Sequence, residues 1–137
     1  MRWADQLIKL SNFELELLQT RLAAVVDRRV KAELKLAVLV AGGEAEIAIA
    51  RRDPEAARSL GAYTEGLKLR KAAARREIDL AAAEEAGARD ALAQAFETLK
   101  KYEQVAESAR LAEVRKEARR ETAALDEMGL RRAVGRR

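Results

Sequence analysis

The chain has 137 residues, enough for one domain, and alanine, leucine, glutamate and arginine dominate it, with one proline and five aromatics. That is the composition of a long-helix or coiled-coil protein, and the period-two runs of Val, Ile, Thr and aromatics that mark strands are missing. The formal charge of +4 belongs entirely to residues 131–137, with Arg131, Arg132, Arg136 and Arg137, because residues 1–130 hold 23 acids and 23 bases. No basic stripe interleaved with aromatics runs along the body, so a specific nucleic-acid groove is not expected. Cysteine and histidine are absent, which excludes disulfides, thiolate chemistry and the usual zinc sites; no metal or cofactor is expected. The most apolar run, Leu36 to Ala41, is too short to cross a bilayer.

From Ala4 onward, apolar residues fall in a heptad frame. Ile8, Leu15, Leu22, Arg29 and Leu36 take one seam position, and Ala4, Ser11, Leu18, Val25, Ala32 and Leu39 the other. The sequence Ser11-Asn12-Phe13-Glu14 matches a capping box, but the frame continues back to Ala4, so a first helix is expected over about 3–51. Breakers then cluster at Gly42, Gly43, Pro54, Gly61 and Gly66. Asp53-Pro54-Glu55 carries an N-cap, a proline at the first helical position and an acid in the first turn. The main reversal is expected over about 52–61, with a second helix over about 62–130 and a disordered basic tail over 131–137. The second helix carries its own seam: Ile78, Ala81, Glu85, Ala88, Leu92, Ala95, Leu99 and Tyr102.

Register discriminates between turns. With the reversal centred near residue 57, Leu36 meets Ile78, Leu22 meets Leu92, Leu15 meets Leu99, and Arg29 meets Glu85. The two charges that interrupt the two seams then face each other. A turn at Gly42-Gly43 instead sets Leu15 against Arg70 and Ile8 against Glu77. Each such layer forfeits roughly 1.5–3 kcal/mol of leucine burial. The fold class is therefore all-α: a long antiparallel two-helix coiled-coil hairpin with an overhanging C-terminal helix end. Gly42 and Gly43 lie inside the first helix and weaken it by about 1 kcal/mol each. The Arg29–Glu85 pair fixes register rather than adding stability.

In this register residue 1 lies opposite about residue 113, and the last ~17 helical residues overhang by roughly 25 Å. The overhang carries Val114, Ala118, Leu125 and Met128 at helical spacing, interleaved with Arg115, Arg119 and Arg120. Further apolar residues lie off the seam: Trp3, Leu10 and Leu17, with Phe13 beside them, where the termini meet, and Val30, Leu34 and Val38 near the turn, with Tyr63, Leu67 and Leu69 close by. An amphipathic helix without a partner is a docking element. The expectation is a protein-binding hairpin with one adhesive patch at each end. Acidic pairs such as Glu84-Glu85 and Glu14/Glu16 have no pocket to shift their ionisation, and no catalytic residue is expected. Asp27–Lys31 and Glu97–Lys101 read as ordinary i,i+4 pairs.

Four segments resemble the FliJ family of flagellar export proteins, in its alphaproteobacterial branch: residues 1–12 (MRWADQLIKLSN), 63–72 (YTEGLKLRKA), 86–103 (AGARDALAQAFETLKKYE) and 119–132 (RRETAALDEMGLRR). The resemblance covers essentially the whole chain. It implies a non-enzymatic stalk or adaptor of the type III flagellar export apparatus, at the cytoplasmic face of the inner membrane near the flagellar base. The termini-bearing end would enter the ring of the export ATPase, the other would contact the membrane export gate, and some members bind export chaperones. On this chain the ring-facing candidates are Trp3, Leu10, Phe13, Leu17, Val114, Ala118, Leu125 and Met128. The gate-facing candidates are Val30, Leu34, Val38, Tyr63, Leu67 and Leu69. The glycine pair at 42–43 departs from the family pattern. The competing reading is an unrelated coiled-coil scaffold that self-associates, or tethers to nucleic acid or membrane through its basic tail.

Overall fold

The structure, a computed structural model, describes residues 2–136. It consists of two long α-helices, α1 (Arg2–Ala50) and α2 (Pro54–Gly135), packed antiparallel, with no strand among the described residues. The composition explains this: Ala, Leu, Glu, Lys and Arg are the strongest helix formers, and the chain's one proline stands at the start of α2.

The reversal occupies residues 51–53 and not 52–61. Arg51 and Asp53 still donate their backbone N–H groups to Ile47 and Ile49, closing α1. Asp53 then caps α2, its Oδ1 accepting the Glu55 N–H at 3.0 Å and its carbonyl accepting the Ala57 N–H at 3.1 Å. The second helix begins here, at Pro54 rather than near 62, because Gly61 and Gly66 do not break it: no described glycine has a positive φ. A glycine inside a helix costs about 1 kcal/mol, which a long packed helix tolerates. At the other end α2 runs on to Gly135, so the expected disordered tail is helical through most of its length. Arginine and alanine sustain the helix there, and Arg131 bonds back to Glu127 at 2.9 Å.

The contacts group into two compact units, residues 16–93 and residues 1–15 with 94–137. In the first, Val25 and Ala32 on α1 and Leu67, Ala74, Ala81 and Ala88 on α2 are buried at seven-residue spacing. Leu22, Leu36, Leu39, Ile78 and Leu92 are half-buried beside them. Four alanines among these six buried residues set small side chains at the contact, which lets the helices approach closely. In the second unit Ala4, Ser11 and Leu15 on α1 and Leu99 on α2 are buried, with Ile8, Tyr102, Ala106 and Ala109 half-buried. From Leu111 to Arg136 every residue is exposed.

Gly43 is buried, and its role is steric. A Cβ added there would lie 2.5 Å from Leu67 Cδ2, whereas at Gly42 it would lie 3.9 Å from the Tyr63 hydroxyl, an ordinary contact. Gly43 therefore gives Leu67 its place against the α1 backbone. At Gly87 an added Cβ meets nothing within 4 Å. Gly87→Ala is expected to raise stability by roughly 1 kcal/mol through helix propensity alone. Gly43→Ala is expected to leave stability at or below that of the parent, because Leu67 must move. Denaturant unfolding of the two variants checks this, and equal gains would remove the steric role of Gly43.

Candidate functional site

In the unit of residues 16–93, charges pair across the seam between the helices. Arg29 Nε donates to Glu85 Oε2 at 2.5 Å, Arg28 pairs with Glu84, and Lys35 Nζ lies 3.7 Å from Glu77 Oε1. Arg29 also reaches Glu33 at 2.9 Å, and Glu85 also accepts from Arg89 at 2.8 Å, so the central pair sits in a four-residue network. Its side chains are 27% and 12% exposed, against 58% and 47% for Arg28 and Glu84. The central pair is therefore the partly desolvated one, while the outer pairs are surface contacts of little energetic weight. Bonding to Arg89, and next to Arg29, holds the Glu85 carboxyl below the usual carboxylate range. The hydrogen bond to Glu85 correspondingly raises Arg29.

A carboxyl depressed on folding contributes stability that is present above its unfolded pKa and is lost as pH falls through the folded value. Thermal unfolding should thus show a declining midpoint on the acid side of the ordinary carboxylate pKa. Glu85→Gln should lower the midpoint at neutral pH and flatten that acid limb. A parallel acid limb in the variant would show that Glu85 carries none of it.

Glu84 and Glu85 are both engaged by arginines, and among the described residues no group of three or more metal-ligating side chains converges. The grooves are surface features between the helices. One of about 340 Å³ is lined by Ala32, Leu80 and Ala81 together with the charged residues Arg28, Lys31, Lys35, Glu77 and Glu84. Another, of about 590 Å³, is lined by Ile8, Ala106 and Ala109 with Asp5, Glu103, Glu107, Arg110 and Glu113. No helix is long and apolar enough to cross a membrane among the described residues.

What the chain does present is apolar surface. In the termini-bearing unit Trp3, Leu10 and Phe13 on α1 are each more than half exposed. On α2 the exposed apolar residues Leu111, Val114, Ala118, Leu125 and Met128 recur at steps of three, four and seven. This stripe is not the seam that meets α1. One position of that seam, through Leu99 and Ala106, continues into Glu113, Arg120 and Glu127, and the other, through Tyr102 and Ala109, into Lys116, Ala123 and Leu130. In the other unit Leu17, Val30, Leu34, Val38 and Leu69 are exposed, and Tyr63 is half-buried under the Arg70 guanidinium, 5.7 Å from the ring centre.

Leu67 corrects the sequence reading. It is 6% exposed and packs on Gly43, so it belongs to the core and not to a partner-facing surface. The signal was available in its spacing, since Leu67 stands seven residues before Ala74, in line with Ala81 and Ala88. The Asp27–Lys31 pair forms at 2.9 Å. Glu97–Lys101 is not among the ion pairs of the described residues; nearby, Lys100 instead lies over the Phe96 ring.

The fold and this surface define a class: a two-helix antiparallel coiled coil with a long helix end that no part of the described chain covers. The chain is 47% identical over 133 residues to the flagellar FliJ protein of Caulobacter vibrioides strain NA1000 / CB15N, covering 97% of this chain and 96% of that one. The FliJ protein of strain ATCC 19089 / CIP 103742 / CB 15 matches to the same extent. The chain belongs to the FliJ family of flagellar proteins. No family model and no solved structure matches it.

Proposed function

We propose that this chain is a non-enzymatic stalk or adaptor of flagellar protein export, joining the export ATPase ring to the membrane export gate at the cytoplasmic face of the inner membrane. The observation that carries the reading is the α2 segment from Leu111 onward, helical yet wholly exposed, with an apolar stripe of its own. A helix end of this kind is stabilised by a partner rather than by its own short-range hydrogen bonds. Family membership supplies the flagellar context.

In this reading the termini-bearing unit meets the ATPase through Trp3, Leu10, Phe13, Val114, Ala118, Leu125 and Met128. Leu17 is left out of this set, because it falls in the other unit. The gate protein takes Val30, Leu34, Val38 and Leu69, with Tyr63 at the edge; Leu67 is withdrawn from this set because it is core. The chaperone-binding role that the family resemblance implies has no residue assigned to it. Any association with the membrane runs through these partners. The test is capture of the export ATPase, from purified components, by the full chain and by a chain ending at residue 113.

A further inference from the structure

The tip of the hairpin is built from weaker parts than the rest of its unit. Of the ten residues from Val40 to Ile49, five are glycine or β-branched: Val40, Gly42, Gly43, Ile47 and Ile49. Both types favour a helix less than alanine or leucine does. Gly61 and Gly66 add two weak points on α2. Packing does little to offset them. Within residues 40–70 only Gly43, Ala50 and Leu67 are buried, and of these only Leu67 has a bulky side chain. The ion pairs that cross between the helices, Arg28–Glu84, Arg29–Glu85 and Lys35–Glu77, all lie farther from the turn. Among the described residues none crosses within 40–70.

We infer that Leu67, seated on Gly43, is a latch: when it leaves, residues 40–70 open as one local unit while 16–35 stay paired with 77–93. Opening stops there for a physical reason. Residues 16–41 and 67–86 contain no glycine, Ala32 and Ala81 are buried, and the three crossing ion pairs begin at Lys35 and Glu77. Local units of this kind open at lower free energy than the whole molecule. The latch gives the gate-facing residues two states. Tyr63 and Leu69 belong to the opening segment, whereas Val30, Leu34 and Val38 lie outside it, so a partner that touches both sets selects the closed tip. That use rests on the gate-contact reading. The latch itself does not, and it is measured on the chain alone.

The experiment is hydrogen–deuterium exchange of the full chain and of Leu67→Ala, Gly61→Ala and Gly87→Ala, with helix content by circular dichroism to show that each is folded. In the parent, amides over 42–66 should exchange at least about tenfold faster than those over 77–93. Leu67→Ala should speed the tip about tenfold or more. At Gly61 and Gly87 an added Cβ meets nothing within 4 Å, so each alanine acts through helix propensity. Gly61→Ala should slow the tip about fivefold. Gly87→Ala should slow 77–93 by a similar factor and leave the tip at the parent rate, because the open-tip state keeps residue 87 in paired helix. Tip and paired part exchanging alike in the parent would overturn the inference. So would Gly87→Ala slowing both by the same factor, which marks a single cooperative hairpin, or Leu67→Ala leaving the tip unchanged.

Discussion

A chain ending at residue 113 is expected to lose capture of the export ATPase while keeping its paired helices. The two effects separate because the structure separates the residues. Ala4, Ser11, Leu15 and Leu99, the buried set of the termini-bearing unit, all lie within 1–113. The deleted residues are exposed throughout the described part, so their removal uncovers no core. Unfolding cooperativity should survive, with a modest loss of helical signal. Binding should fall much further, because Val114, Leu125 and Met128 are all removed and a small cluster of apolar anchors dominates most interfaces. Undiminished capture by the shortened chain would move the ATPase contact to Trp3, Leu10 and Phe13.

Leu99→Ala is expected to have the opposite signature. Leu99 is 6% exposed and lies in the same unit as Leu15, 5% exposed; truncating it removes buried methyl groups and leaves a void at the helix contact. Such changes cost on the order of 2–5 kcal/mol, and a domain of this size has roughly 5–15 kcal/mol in total. Little else is available to make up the loss, because the core of a two-helix coil is one side chain deep. Leu125→Ala, at a position 67% exposed, should leave unfolding within about 0.5 kcal/mol of the parent. Chemical denaturation of the two variants checks the contrast, and similar losses would mean that residues beyond 113 are packed in solution.

Much of this was legible in the residues. The heptad positions of α1 and α2 name Ala4, Ser11, Leu15, Val25, Ala32, Ala81, Ala88 and Leu99, and these are buried. The reason is general: a two-helix coil buries one stripe per helix, and the stripe has a fixed period. The turn was harder to read. Four glycines and a proline compete between 42 and 66, and glycine has two uses that look alike in a sequence. Gly61 and Gly66 are helical and simply tolerated, while Gly43 is required because Leu67 occupies the space of its missing side chain. Only coordinates separate those cases. The same ambiguity placed Leu67 on a surface when it belongs to the seam. The helical state of 131–135 was hidden for another reason: seven residues rich in arginine read equally as a solvated tail or as the last turns of a long helix.

The account rests on α2 outrunning its partner and offering residues 111–135 to another protein. Hydrogen–deuterium exchange of the full chain, dilute and then saturated with the export ATPase, tests this most directly. Alone, amides over 74–109 should exchange slowly and those over 111–135 fast, since an isolated helix end opens readily. With the ATPase bound, protection should appear over 111–135. Unchanged exchange there, with the ATPase demonstrably bound, would contradict the account.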